Sequence, residues 1–182
     1  MTFNNRLSWK DHIASILQSV SKLLHGMCKL SKDIDRKSLE SIYQTFIRPK
    51  LEYACIVWDD CSEQDCQAVE NCQLRAARKV TGAKRGTSHE TQWPNLDARK
   101  DHFKLCFMHK VVNKAAPDYV VEILPNTVTT HYNLRDNDDF DQYQFTTEKL
   151  RKSLFPDCIR KWNGLDKIVR NDQSYNSLFK IR

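Results

Sequence analysis

Asp59 and Asp60, arriving behind Val57-Trp58, are the residues whose type and spacing suggest the sharpest chemistry. An aromatic-x-Asp-Asp string on a β-hairpin can hold the two Mg²⁺ ions with which polymerases activate a 3′-hydroxyl and steady the leaving pyrophosphate. Here the string lacks that setting. The residues before it read as helix, and the third carboxylate such a site needs belongs on a separate strand far upstream, whereas only 58 residues precede Asp59. The pair is expected to be a solvated helix end. Zinc chemistry is equally thin. Cys61-x4-Cys66-x5-Cys72 contains no tight C-x2-C pair, and His102 and His109 stand seven apart with Cys106 between them. No G-x-S-x-G or G-x-x-x-x-G-K-[ST] string occurs, and Gly82-Ala83-Lys84-Arg85-Gly86 follows a helix rather than joining a strand to one. The residues therefore predict no catalytic group, no metal and no cofactor.

Anion binding is better supported. Arg75, Arg78 and Lys79 fall at i, i+3 and i+4, an arc of roughly 100° on a helix of 3.6 residues per turn. Lys84 and Arg85 extend the patch, and Arg99, Lys100 and Lys104 open the next helix. Between 74 and 114 ten Lys and Arg face three Asp and Glu, while 117–150 holds two basic residues against seven acidic ones. Such a rail suits phosphate oxygens, which Arg can bind in bidentate fashion. The competing interpretation is an ordinary solvated helix face, since a net charge of +6 is unexceptional for a chain of 182 residues. The candidate nucleic-acid-binding residues are Arg75, Arg78, Lys79, Lys84, Arg85, Arg99 and Lys100.

The elements that must carry these residues are helical. Only four Gly and five Pro occur, which argues against a turn-rich β fold. Trp9, Ile13, Ile16, Val20, Leu23, Leu24 and Met27 make one stripe, behind a capping box at Ser8-x-x-Asp11. A second helix is predicted from Arg36 to Ile47, burying Leu39, Ile42, Tyr43, Phe46 and Ile47, with Pro49 breaking or kinking it. Leu51 to Trp58 continues as a further helical piece. Ser62-x-x-Asp65 opens a third helix, with Val69, Cys72, Ala76 and Val80 inward and Gly82 as its C-cap. A fourth helix from Leu96 or Asp97 is apolar on two sides, Phe103, Cys106, Phe107 and Val111 on one and Leu105, Met108 and Val112 on the other. A short helix from Ala116-Pro117 to Leu124 follows. Residues 126–150 read as a long irregular acidic connection, with a possible extended piece at Tyr132–Arg135. The last helical region carries Leu154, Phe155, Ile159 and Trp162, then Leu178, Phe179 and Ile181. The expected fold is mainly α, with five to seven helices divided into a core over 1–125, the connection over 126–150 and a C-terminal region over 151–182. Seven scattered cysteines, mostly read as small buried hydrophobes, a polar N-terminus and no long apolar run predict an intracellular protein, nuclear or cytoplasmic, without disulfides or a membrane span.

Four blocks in order resemble the segment that follows the palm in non-LTR retrotransposon reverse transcriptases of the jockey-like kind. Leu7-Ser8-Trp9-Lys10-Asp11-His12-Ile13 resembles that family's Leu-Ser-Trp-x-x-His-Ile. Ile47-Arg48-Pro49-Lys50-Leu51-Glu52-Tyr53-Ala54 with Val57-Trp58 resembles its next signature. Gln73-Leu74-Arg75-Ala76-Ala77-Arg78-Lys79-Val80-Thr81-Gly82 resembles its Gln-x-Arg-Ala-x-Arg-x-x-Thr-Gly helix. Tyr132-x-Leu134-Arg135, Phe155 and Trp162-Asn163-x-Leu165 resemble its C-terminal markers. Asp166, where the family often has Pro, and Cys72, where an apolar residue is usual, depart from the pattern. The resemblance spans nearly the whole chain. It implies a helical, bundle-like thumb segment of an RNA-directed DNA polymerase, without endonuclease, fingers or palm and so not an enzyme on its own. The expected partner is duplex or RNA–DNA hybrid nucleic acid, bound weakly and without sequence preference. The alternatives are a helical module that binds protein, the missing palm or another, and an inert element relic.

Overall fold

The computed structural model describes residues 8–83, 93–127 and 139–171. The described chain is mainly helical, with nine α-helical segments and, in place of strands, a single antiparallel bridge between Thr127 and Phe140. The excess over the expected five to seven comes from segments of four or five residues. The chain divides into two compact units between Arg99 and Lys100, not at 125. That boundary falls inside the fourth long helix, whose later residues share a core with the C-terminal region.

In the first unit, α1 (Lys10–Leu30) turns Trp9, Ile13, Val20, Leu24 and Met27 inward, chiefly against α4 (Glu63–Thr81). Each such side chain, fully buried, contributes about 1.5–3 kcal/mol. The predicted capping box at Ser8 does not form. Trp9 is the N-cap without a side-chain bond, and the Ser8 hydroxyl accepts from the Lys10 amide instead. At Ser62 the N-cap half of the box forms: Ser62 Oγ accepts from the Asp65 amide at 3.2 Å and donates to the Asp65 carboxylate at 2.7 Å.

Pro49 neither breaks nor visibly ends its helix. α2 (Arg36–Ile42), a π-helical turn (Tyr43–Ile47) and α3 (Arg48–Glu52) follow one another without interruption, the π turn, in which the Arg48 amide donates to the Tyr43 carbonyl, lying directly before Pro49. The buried residues are Leu39, Tyr43, Ile47 and Leu51, four apart each time. In a pure α-helix each such step overshoots a full turn by about 40°. The wider π turn takes back part of that drift and keeps the four on one face. Phe46, expected inward, is 57% exposed as a result. The helical piece expected from Leu51 to Trp58 ends at Glu52. Residues 53–60 are turns, with Ala54 at φ 50° and with Cys55 and Trp58 buried.

In the second unit, Met108 on α5 (Leu96–Val112) packs with Cys158, Ile159 and Trp162 of α8 (Leu154–Asn163). Phe107, Val112, Leu124, Phe140, Tyr143, Leu154 and Leu165 surround them. α5 is not symmetric about two apolar faces. Lys100, Lys104, Leu105, Met108, His109 and Val111 are its buried residues within this unit, whereas Phe103, Cys106 and Phe107 are half-buried. α6 (Asp118–Val121) and α7 (Glu148–Lys152) are short, and α9 (Lys167–Asn171) ends the described chain. The acidic connection is irregular over its described residues 126–127 and 139–147, helical from Glu148, and anchored at Asp139 and Phe140. Asn163 clasps the Phe140 backbone, accepting from its amide at 3.2 Å and donating to its carbonyl at 2.8 Å. Arg170 donates to the carbonyls of Asn163 and Leu165 and pairs with Asp139. Tyr132–Arg135 and Leu178–Ile181 lie outside the described residues.

Candidate nucleic-acid interface

α4 presents its cations because its apolar stripe fixes its rotation. Val69, Cys72, Gln73, Ala76, Ala77 and Val80 face inward. Glu63, Gln67, Asn71, Arg75 and Lys79, each four after the last, form the exposed row opposite. Arg78 lies half-exposed beside that row. Among the described residues, Arg75, Arg78 and Lys79 meet no carboxylate and make no hydrogen bond. The row runs from acid at its start to base at its end, which is also what the helix dipole favours on its own. Gly82, at φ 70°, closes the helix in the left-handed conformation, and Thr81 Oγ1 returns to the Ala77 carbonyl at 3.0 Å.

The remaining predicted cations have other fates. Lys84 and Arg85 lie outside the described residues. Arg99 is engaged by Glu52, with Nε and Nη2 addressing the two carboxylate oxygens, the second at 3.1 Å. Glu52 also faces Arg48 at 3.9 Å. Lys100 is 3% exposed, so it does not stand outward as Arg75 and Lys79 do. Its turn of α5 faces inward, a placement hidden in a sequence where basic and apolar residues are interleaved. Lys104 is 1% exposed, its Nζ 2.6 Å from Asp157 Oδ2. Burial pushes the Asp157 carboxyl up. Hydrogen bonds from Lys104 and Arg160, with the charges of Lys104 and Lys161, overcome that and hold it below the ordinary range.

Asp59 and Asp60 do not form a solvated helix end. Both are half-buried in the turns after α3, and Asp60 accepts the Trp9 indole N–H at 2.5 Å. This carboxylate fastens the start of α1 to that turn. Among the described residues no three His, Cys, Asp or Glu side chains converge to hold a metal ion. Burial raises the Cys72 and Cys106 thiols, offset only in part by the charges of Arg75 and Lys110 respectively, which leaves both as poor nucleophiles.

Sequence reasoning missed a buried polar chain in the first unit. Tyr43 Oη donates to Gln73 Oε1 at 2.6 Å, and Gln73 Nε2 donates to the Pro94 carbonyl at 2.9 Å. The Tyr43 ring stacks on Trp93, with centroids 4.0 Å apart and planes 10° from parallel. Trp93 in turn donates to Glu40, and Glu70 accepts the Leu96 amide. The chain ties the start of α5 onto α4 and the α2–α3 rod. One signal was available: Gln73 sits on the inward stripe of α4, and a buried amide must find partners. Comparison with protein-family models, with curated proteins and with solved structures found no match.

Proposed function

We propose that this chain is a non-catalytic piece of a non-LTR retrotransposon reverse transcriptase that binds duplex or hybrid nucleic acid through the outer face of α4. The observation that carries the reading is the presence of Arg75, Arg78 and Lys79 on one face, with no carboxylate among the described residues to neutralise them. The other support is the resemblance itself. Several of its blocks are occupied by residues that fasten the fold: Trp9 to Asp60, Glu52 to Arg99, Gln73 to Tyr43, and Asn163 to Phe140. Arg75 and Arg78 are residues of those blocks with no such duty, and phosphate contact would give them one.

Contacts of this kind release counterions, so binding should weaken steeply with salt. Arg75, Arg78 and Lys79, joined by Lys84 and Arg85, would neutralise up to about five phosphates, giving a slope of log K against log salt of roughly −4 to −5 on B-DNA. Affinity should lie near 10⁻⁴ to 10⁻⁶ M at physiological salt, roughly the non-specific range. Fluorescence anisotropy across a salt series, on the parent chain and on Arg75→Glu/Arg78→Glu/Lys79→Glu, tests this. The triple variant should lose affinity for all sequences alike. Equal binding by the two, or no binding by the parent at low salt, rejects the reading. A second reading is a protein-binding module, favoured by Phe46, Tyr53 and Val57, large apolar side chains that stand 57%, 66% and 41% exposed within one short stretch. A palm domain or another protein covering them would bind with little salt dependence.

A further inference from the structure

Cys61 and Cys66 flank the N-terminus of α4 in a particular way. Ser62 is the N-cap, so Cys61 is the residue before it and Cys66 the fourth residue of the helix. In many helices these two positions hold apolar side chains that pack on each other and fix the entry of the chain. Here they hold thiols, and the sulfurs stand 2.9 Å apart. The backbone around them is firmly set. The Cys66 amide donates to the Ser62 carbonyl at 3.0 Å, the Asp65 amide to Ser62 Oγ, and the Cys61 amide to the Trp58 carbonyl at 3.2 Å. Both residues are half-buried, unlike Cys55, Cys72 and Cys158, which lie in the core. A metal would need further ligands, and no third His, Cys, Asp or Glu among the described residues joins the pair in a metal-holding group. What remains is dithiol chemistry between two sulfurs already in contact.

We propose that Cys61 and Cys66 form a redox-active dithiol that closes into an intramolecular disulfide under peroxide. Each thiol first gives its proton to solvent. One thiolate attacks hydrogen peroxide, the O–O bond breaks, and a sulfenic acid forms as hydroxide leaves and takes up a proton to become water. The second thiolate then attacks the sulfenic sulfur, the S–S bond forms as the S–O bond breaks, and the departing hydroxide takes up the second proton to become another water. Each sulfur gives up one electron, and the peroxide accepts two. The disulfide would lock the turn after α3 to the first turn of α4, and a small-molecule dithiol would reverse it.

The test uses the full reduced chain treated with one equivalent of hydrogen peroxide and then blocked at its remaining thiols. Glu63 lies between the two cysteines, so cleavage after it yields fragments that only the disulfide can hold together. The expected result is a joined Cys61–Cys66 fragment pair lighter by two hydrogens than the reduced peptides. It should separate on reduction, with the oxidised protein melting at higher temperature. In the unaltered chain a sulfenic-acid trap should label neither residue, whereas Cys66→Ser should leave a trappable sulfenic acid on Cys61. Separate fragments, over-oxidation at either residue of the unaltered chain, or a first bridge to Cys28 or Cys106 would overturn the proposal.

Discussion

Arg75, Arg78 and Lys79 on α4 and Arg99, Lys100 and Lys104 on α5 come from one basic run and read alike by charge, yet the fold treats them oppositely. The α4 group stands outward with no partner among the described residues. On α5, Arg99 is held by a carboxylate 47 residues away and Lys104 by one 53 residues away, while Lys100 is buried. Availability of a cation is thus decided by burial and by distant partners, which a sliding charge count cannot contain. The count of ten bases against three acids includes Arg99 and Lys104, whose neutralising Glu52 and Asp157 lie outside the window. A buried ion also behaves unlike a surface one. Removing its partner exposes the full cost of desolvation, whereas removing a solvated charge costs almost nothing.

The largest effect should follow from breaking the α5 side of this contrast. Asp157→Ala leaves the Lys104 ammonium buried without its carboxylate, and the expected loss is about 3–5 kcal/mol in urea unfolding. A loss below about 1 kcal/mol would mean that Lys104 reaches water and that the two helices do not differ in kind. The pH dependence sharpens this. Because the folded pKa of Asp157 is lowered, its contribution is present above the unfolded value and disappears as pH falls through the folded one. The stability gap between the parent and Asp157→Asn should therefore be full at neutral pH and shrink only below about pH 4.

Next in size is Tyr43→Phe, which keeps the stack on Trp93 but leaves Gln73 Oε1 without its donor. About 1–3 kcal/mol should be lost. Burial raises the Tyr43 phenol well above its ordinary value, so the neutral form belongs to the folded state. The parent should lose stability as pH rises past about 10, where unfolded tyrosine ionises, and the variant should lose less over the same interval. Equal alkaline limbs would place the phenol in contact with solvent.

How much of this was legible in the sequence depends on the kind of signal. The α1 stripe, the Ser62 cap and the Gly82 stop were readable because a local period or a local backbone requirement specifies each one. Pro49 was expected to break or kink its helix; the helix runs on through it, and the π turn directly before it has no simple sequence mark. Ser8 does not cap its helix although its pattern matches that at Ser62, where the N-cap bond forms; Trp9 takes the N-cap position and is held by Asp60. The outward placement of Arg75 and Lys79 was legible from the 3.6-residue period alone, whereas the burial of Lys100 is tertiary and was not.

A smaller effect separates the end of α4 from its charges. Gly82→Ala meets no atom of the described residues within 4 Å, so its expected cost is that of the left-handed backbone, about 1 kcal/mol. Stability should fall by that amount while the salt dependence of the proposed nucleic-acid binding stays as in the parent. A change in both would mean that the loop geometry after Gly82, and not the α4 face, carries binding.

The smallest expected effect on the fold is the most discriminating for function. Arg75→Gln removes one exposed cation that has no partner among the described residues. Its stability should stay within about 0.5 kcal/mol of the parent. If Arg75 meets a phosphate, the salt slope should become shallower by about 0.9, with affinity falling equally for every sequence. Arg99→Gln offers the mirror image. It should weaken the fold by releasing Glu52 while leaving the slope unchanged, because that guanidinium is already occupied. Measured side by side, the two substitutions ask whether charge in this run works outward or inward. A shallower slope in Arg99→Gln with none in Arg75→Gln would reverse the assignment of the two helices. No change of slope in either would leave the α4 row as the solvated face that the helix dipole alone would favour.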